Sequence, residues 1–183
     1  MLNKRTATNA LITIICAGFL VQLLNKNFQF NFELQSIEIL KYTNQWYRIF
    51  TVTLLHDTSF VVPVHLALNM LALHSLGNQL EIFVGPKKLI AIFTFSLLTG
   101  SLFSALTLPI NGTSIGASGA IFGLFGALAV VGRKHGIDIK SILAVIGINF
   151  VVGFTISNVD WHAHLGGLIG GALAAQLLLV RRR

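Results

Sequence analysis

Four polar residues interrupt long apolar stretches of this sequence: His65, Asn69, Ser118 and His164. A serine hydroxyl becomes a nucleophile when a histidine ring accepts its proton, and this pair is the minimal equipment for acyl transfer. Asparagine and histidine side chains donate hydrogen bonds that can stabilise an oxyanion. A single histidine in an apolar helix is more often a hydrogen-bonded core residue, so the elements that carry these side chains must decide their role.

The composition is that of a protein embedded in a membrane. Of 183 residues, 54% are hydrophobic and only 10% are charged, whereas a soluble domain carries about a quarter charged residues. These values argue against a soluble globular enzyme, and they exclude a disordered chain, a coiled coil and a collagen-like rod. The single cysteine, Cys16, cannot form an internal disulfide, and no metal-ligand spacing occurs. We therefore predict a polytopic membrane protein without a metal or cofactor.

Six uncharged stretches are long enough to span a bilayer. A hydrocarbon core about 30 Å thick needs about 20 apolar residues per helix, and the turn residues Pro109, Asn111 and Gly112 divide the longest stretch in two. The first stretch has no convincing cleavage site after it, so we interpret it as a retained helix. The expected helices lie near residues 6–25, 59–80, 89–108, 115–132, 141–159 and 161–180. The sequence thus predicts an all-α, six-transmembrane-helix bundle forming a single domain over residues 1–183.

The positive charges predict the orientation of this bundle. Six spans place both termini on one side, where ten lysines and arginines collect, against three on the other side (Lys26, Lys41 and Arg48). Such an excess marks the cytoplasmic side. We expect a multi-pass protein of the cell membrane with cytoplasmic N- and C-termini. The net charge of +7 is then explained by topology, and no nucleic-acid partner is predicted.

The segment 26–58, on the opposite side, mixes aromatic and charged residues. Aromatic rings favour the interface between lipid and water, so this segment is either an interfacial element or an ordinary loop.

The polar residues fall at one depth in the predicted bundle. The second, fourth and sixth spans all begin at the outer side, with His65 and Asn69 near the start of the second, Ser118 near that of the fourth, and His162 and His164 near that of the sixth. At about 1.5 Å per residue, each lies about 5–15 Å below the outer boundary. His65 and Asn69 are four residues apart and so project from one helix face. The sequence predicts that these side chains share one layer.

The sequence Gly116-Ala117-Ser118-Gly119 opens the fourth span. Small neighbours let a substrate backbone approach the serine, and first-turn N–H groups lack helical acceptors and carry the positive end of the helix dipole. Such groups suit an oxyanion. The same four residues are also typical of close helix packing in membranes, and the motif alone does not decide between these interpretations.

Stripes of small residues on two spans favour the catalytic interpretation. The sixth span carries one at every fourth position, and so does the fourth (Ala163, Gly167, Gly171 and Ala175; Gly119, Gly123 and Ala127). Two such faces pack with their backbones unusually close. A close crossing near their outer ends would bring Ser118 within hydrogen-bond reach of His164.

Five ordered motifs together resemble the rhomboid family of intramembrane serine proteases, over a region from about residue 46 to 178. The motifs are Trp46-Tyr47-Arg48, His65-x-x-x-Asn69, Gly77-x-x-x-Glu81-x-x-x-Gly85, Gly116-Ala117-Ser118-Gly119 and Ala163-His164-Leu165-Gly166-Gly167. The serine motif alone is weak, but five motifs in this order and topology are specific. The resemblance implies a single rhomboid-type membrane domain.

The resemblance also implies roles for the polar layer. Ser118 is then the nucleophile and His164 its general base. The side chains of His65 and Asn69 and the backbone N–H groups of Ser118 and Ala117 line the oxyanion site.

Further positions match residues that support the family's site. Gly116 and Gly119 complete the serine motif, and Phe122 matches an aromatic residue that packs on the histidine ring. Arg48 and Glu81 match structural positions. The implied substrate is a transmembrane segment of another membrane protein, cleaved near the outer leaflet of the bilayer.

One departure from the family is the long stretch from residue 57 to 64, which contains Pro63. It predicts an irregular outer end of the second helix.

Two alternatives of other classes stay open. The first is a catalytically inactive rhomboid relative that binds membrane proteins, although such relatives typically lack the serine or the histidine, or have proline where this chain has Ala117. The second is a metal or ion transporter that uses His65, His162 and His164 as ligands.

The remaining ionisable residues receive no catalytic assignment. Asp160, four residues before His164, is either a third member that orients the histidine or, as the family's two-residue mechanism favours, a solvated loop residue. His56 and His135 are expected at the surface, and His74 points away from His65.

Overall fold

The computed structural model describes residues 6–25, 27–59, 63–132, 135–136, 138–155 and 159–180. The α-helices within these ranges are α1 (Thr6–Leu24), α2 (Phe28–Phe32), α3 (Ile37–Thr43), α4 (Arg48–Thr51), α5 (Val64–Val84), α6 (Pro86–Thr107), α7 (Ser118–Gly132), α8 (Ile139–Thr155) and α9 (Trp161–Val180). A 3-10 turn, Val52–Leu54, follows α4. Two short strands, β1 (Leu34–Gln35) and β2 (Thr113–Ser114), pair antiparallel. The cations at both termini and in the loop at 133–134, which support the predicted orientation, lie outside the described residues.

The described chain is mostly helical, and three helices are long and apolar enough to cross a membrane: α1, α6 and residues Trp161–Leu179 of α9. Helices α7 and α8 contribute shorter apolar segments, Ser118–Gly132 and Ile139–Ile148. These features confirm an all-α membrane protein. The number of six spans stays a prediction.

Helix α7 occupies the centre of the bundle. It packs against α9, α6, α5 and α8, and every residue from Ala120 to Leu128 is buried. A helix that is apolar on all sides is typical of a position surrounded by other helices. The serine motif therefore stands at the N-terminal end of a helix that is enclosed by four others.

Helix α5 begins later than the sequence predicts, at Val64 instead of near residue 59. Pro63 directly precedes it, and a proline disfavours helical backbone in the residue before it. Asp57 also forms a turn there, because its carboxylate accepts hydrogen bonds from the backbone N–H and the hydroxyl of Ser59. At the other end, Gly85 adopts a positive φ of 79° and stops the helix. The predicted range 59–80 is thus corrected to Val64–Val84.

The carboxylate of Glu81 joins α5 to the start of α1. It accepts hydrogen bonds from the backbone N–H groups of Ala7 and Thr8, both at 3.0 Å, and from the Thr8 hydroxyl at 2.7 Å. These N–H groups belong to the first turn of α1 and have no acceptor within their own helix. One turn earlier on α5, a Cβ on Gly77 would lie 2.9 Å from the Thr8 methyl group, so the glycine permits this contact.

Residues 27–59, between α1 and α5, form three short helices, a 3-10 turn and a strand. The Arg48 side chain is only 3% exposed and donates hydrogen bonds to the backbone carbonyls of Phe30 and Glu33. Leu34 of β1 pairs with Ser114 of β2, which lies just before the serine motif. This segment is therefore tied to the chain that leads into α7.

Candidate active site

The backbone turns sharply immediately before Ser118. Gly116 adopts a φ of 121°, which favours glycine, and its N–H donates to the Val52 carbonyl at 3.0 Å. The Ala117 carbonyl accepts the first helical hydrogen bond of α7, from Ile121 at 3.1 Å. Because α7 starts at Ser118, the N–H groups of its first turn have no helical acceptor.

The structure brings Ser118 and His164 into direct contact, although 46 positions separate them. The His164 Nε2 atom lies 2.8 Å from the Ser118 Oγ atom. The His164 side chain is 6% exposed, and the Phe122 ring stacks on it with centroids 4.1 Å apart and planes 6° apart. The His164 ring thus stacks on the Phe122 ring and contacts the Ser118 hydroxyl with its Nε2 atom.

Close packing of α7 against α9 produces this contact. A Cβ on Gly167 would overlap the carbonyl oxygen of Gly119, and one on Gly171 would overlap that of Gly123. These are the stripes predicted from the sequence, and they face each other as expected. A single added carbon would force the helices apart next to the serine and histidine.

A third helix, α6, also packs closely against α7 and α9, which was not predicted from the sequence. On α6, Ser96 lies where a Cβ on Gly123 would be, and a Cβ on Gly100 would lie 2.8 Å from the Ala163 carbonyl oxygen. Ser96, Gly100 and Ser104 follow the same four-residue spacing, so a signal was present in the sequence. Helices α6, α7 and α9 therefore meet around the start of α9.

His65 borders the space beside Ser118. A Cβ on Gly116 would lie 3.1 Å from the His65 Nε2 atom and 3.9 Å from the Ser118 Oγ atom. The backbone N–H of Asp57 donates to the His65 Nδ1 atom at 3.3 Å. Because that Nδ1 accepts a hydrogen bond, the proton of a neutral ring is on Nε2, the atom nearer to Gly116.

Asn69 stands one turn below His65 and is 7% exposed. Its Nδ2 atom donates to the backbone carbonyl of His65 at 2.9 Å. An amide nitrogen carries two protons, so one remains for a second acceptor. This hydrogen bond also fixes the amide relative to His65.

His56 is fully buried, so its expected surface position is wrong. Its ring lies 5.0 Å from that of His65, edge to face, and its backbone exchanges two hydrogen bonds with the Gln22 side chain. Burial, with a smaller effect from His65, lowers the pKa of His56 to about 3. The ring is therefore neutral at pH 7 and supports His65 by packing. His135, by contrast, is exposed as expected.

Asp160 forms no hydrogen bond with Ser118 or with the His164 ring in the described structure. Its Oδ1 atom accepts the backbone N–H of Ala163 at 3.0 Å, and its Oδ2 atom accepts the Ser104 hydroxyl at 2.5 Å. The His164 Nδ1 atom has no hydrogen-bond partner among the described residues. Asp160 is thus neither a third member bound to the histidine nor a solvated loop residue, because it caps α9.

The described contacts of His162 are with Trp161, Phe103 and Asp160. Within the part of the chain that the structure describes, no three histidine, cysteine, aspartate or glutamate residues converge on a possible metal position. The described residues therefore provide no set of metal ligands that would support the transporter alternative.

The described helices define a helical membrane protein, and its family follows from its similarity to known proteins. Residues 43–181 match the family model described as the Rhomboid domain. The chain belongs to the rhomboid family.

Three relatives illustrate the similarity. The chain is 39% identical to "Rhomboid protease GluP" of Bacillus subtilis (strain 168) over 142 residues, which cover 73% of this chain and 26% of that protein. It is 30% identical to "Putative rhomboid protease YdcA" of the same bacterium, over 75% of this chain and 70% of the relative. It is 34% identical to "RHOMBOID-like protein 7" of Arabidopsis thaliana, over 74% of this chain and 44% of the relative. The chain thus spans about a quarter of GluP and less than half of the Arabidopsis protein.

Proposed function

We propose that this chain is an intramembrane serine endopeptidase that cleaves transmembrane segments of other membrane proteins near the outer leaflet, using Ser118 and His164. The observation that carries the proposal is the 2.8 Å contact between Ser118 Oγ and His164 Nε2 at the closest crossing of α7 and α9. The chain also belongs to the rhomboid family, and one of its relatives is named a rhomboid protease. Both findings support the proposal.

The reaction follows from this pair. Ser118 Oγ attacks the substrate carbonyl carbon while His164 Nε2 accepts the hydroxyl proton. The tetrahedral intermediate then collapses, its C–N bond breaks, and His164 gives the proton to the leaving amine. Water, deprotonated by His164, attacks the acyl-serine ester; the bond from the acyl carbon to Ser118 Oγ breaks, His164 returns the proton to Ser118 Oγ, and the second product leaves as a carboxylic acid. Stacking on Phe122 keeps the histidine ring in one orientation through these steps.

The oxyanion would lie over Gly116, between the serine and His65. The donors that we assign are the backbone N–H groups of Ser118 and Ala117, the His65 Nε2–H and the second amide proton of Asn69. A Cβ at Gly116 would lie 3.0 Å from the His65 ring, so the glycine keeps a side chain out of the position between His65 and Ser118. Preorganised donors of this kind are strongest where water is excluded.

The proposal includes the membrane arrangement. The chain would form one domain of six spans in the cell membrane, with both termini cytoplasmic and no cofactor. The substrate helix must unwind locally before cleavage, because its carbonyls are hydrogen-bonded within the helix.

Labelling with a fluorophosphonate tests the proposal directly. We expect the purified protein in detergent to be modified at Ser118, since the reagent reacts with a serine whose proton is removed by a neighbouring base. The modified peptide is located by mass spectrometry, and Ser118→Ala protein is the matched control. Modification at Ser114 instead, or none in folded protein, would contradict the proposal, and the second outcome would favour the inactive relative.

Removing an oxyanion donor should slow turnover without abolishing it. We expect His65→Ala and Asn69→Ala each to lower kcat by about 10²–10³, the typical cost of one such donor, in a reporter-cleavage assay in liposomes. His74→Ala is the matched control, because His74 is exposed on the same helix and is hydrogen-bonded to Asn78. If the His65 and Asn69 variants turn over like the His74 variant, the backbone alone holds the oxyanion.

A further inference from the structure

A hydrogen bond and two close helix approaches meet at Ala163, the residue directly before His164. Its N–H donates to Asp160 at 3.0 Å, and its carbonyl oxygen lies 2.8 Å from the position of a Cβ on Gly100 of α6 and 3.2 Å from that of a Cβ on Gly119 of α7. The first turn of α9 is thus enclosed by both neighbouring helices, and little space remains for it to rotate or slide.

Asp160 supplies the polar part of this arrangement. One carboxylate oxygen caps α9 through the Ala163 N–H, as an N-cap residue does at the third helical position. The other accepts the hydroxyl of Ser104, which is fully buried on α6. The carboxylate therefore links α6 to the beginning of α9. The Asp160 carbonyl accepts the N–H of His164 itself at 3.3 Å.

We infer that Asp160 is a positioning residue, which acts with Ser104 through the first turn of α9 to hold His164 against Ser118. This inference rests on the proposed protease function. Asp160 acts through hydrogen-bond geometry, since its carboxylate is occupied by Ala163 and Ser104 and the His164 Nδ1 atom has no partner among the described residues. Rotation of α9 would move the histidine ring away from the serine hydroxyl.

Substitutions at Asp160 and at Ser104 distinguish an effect of hydrogen-bond geometry on kcat from an effect of the Asp160 charge. Asp160→Ala removes the cap and the bridge, and a displacement of about 1 Å at the reacting groups costs about a hundredfold in rate. We expect kcat to fall by about that factor with KM unchanged, because both oxygens of this carboxylate already accept hydrogen bonds, from Ala163 and Ser104. Asp160→Asn should retain most of the wild-type kcat, since asparagine caps helices as well as aspartate does and its amide can donate to the Ser104 oxygen. Ser104→Ala should give an intermediate loss.

The matched control is Asp138, which caps α8 but forms both of its described hydrogen bonds within its own helix. Its carboxylate accepts the N–H of Lys140 at 3.0 Å and the hydroxyl of Ser141, but it lies at the start of another helix. Asp138→Ala should leave kcat close to wild type.

The experiment measures kcat and KM for a transmembrane reporter in liposomes and the rate of fluorophosphonate labelling, with wild type and Ser118→Ala in parallel. A wild-type kcat in Asp160→Ala or in Ser104→Ala would overturn the inference. Equal losses of kcat in Asp160→Asn and Asp160→Ala would also overturn it, because they would assign the effect to the charge of Asp160. If Asp160→Ala does not fold, Ser104→Ala decides alone. Inactive wild type, or active Ser118→Ala, would instead refute the protease function.

Discussion

Ser118→Ala and His164→Ala are each expected to abolish cleavage of a transmembrane reporter in liposomes while leaving the protein folded. The first removes the only hydrogen-bond partner of the His164 ring among the described residues, and the second removes the group that accepts the serine proton. Ser118 and His164 act as one unit, so replacing either one already removes the rate enhancement that both provide. The double variant should therefore be no slower than either single variant. The measurement is product formation against time, with thermal unfolding of each variant recorded alongside.

Ser114→Ala is the matched control for the serine. Ser114 lies four residues earlier, in β2, where it pairs with Leu34 of β1, and its replacement should have little effect on kcat. Unchanged cleavage by Ser118→Ala protein would exclude Ser118 as the nucleophile.

The second large effect concerns packing, with every catalytic group left in place. Gly167→Leu should lower turnover by at least about a hundredfold, because its Cβ alone would overlap the Gly119 carbonyl, one residue after Ser118. Gly123→Leu should do the same, since its side chain would meet Ser96 of α6 and the Gly167 carbonyl. Helices in lipid keep their internal hydrogen bonds when their packing loosens, so helical content should persist. Circular dichroism and reporter cleavage in the same liposomes measure the two properties.

Gly147→Leu in α8 provides the control for these glycines. A Cβ at Gly147 meets no atom within 4 Å, so the same substitution adds the same bulk without a collision. We expect nearly wild-type activity. Full activity in both the Gly123 and Gly167 variants would show that contact between the stripes does not position the serine and histidine.

Much of the candidate site was predictable because its signals are local or periodic. A run of apolar residues predicts a membrane helix wherever it occurs in the chain, and a small residue at every fourth position predicts a close helix face. These two patterns predicted the approach of Ser118 to His164, which the structure places 2.8 Å apart. The five motifs led to the rhomboid family, and the match over residues 43–181 confirms it.

Other features were decided by tertiary contacts between residues far apart in sequence. Hydropathy alone placed the start of α5 near residue 59, whereas the turn at Asp57 and the proline before Val64 determine it. The burial of His56 depends on Gln22, 34 positions away, and nothing in the local pattern distinguishes it from a surface histidine.

The sequence by itself determined that this is a helical membrane protein and which residues are candidates for chemistry, because composition, spacing and periodicity are properties of the chain. Only the tertiary structure decided how those residues are supported. The hydrogen bond from Ser104 to Asp160 joins positions 56 apart, and the local sequence around either residue does not predict that pairing. From the sequence, Asp160 is expected to be a solvated loop residue, whereas packing of α6 against α9 places Ser104 within hydrogen-bond distance of it. Burial and hydrogen bonding depend on both packed helices and cannot be deduced from either sequence segment alone.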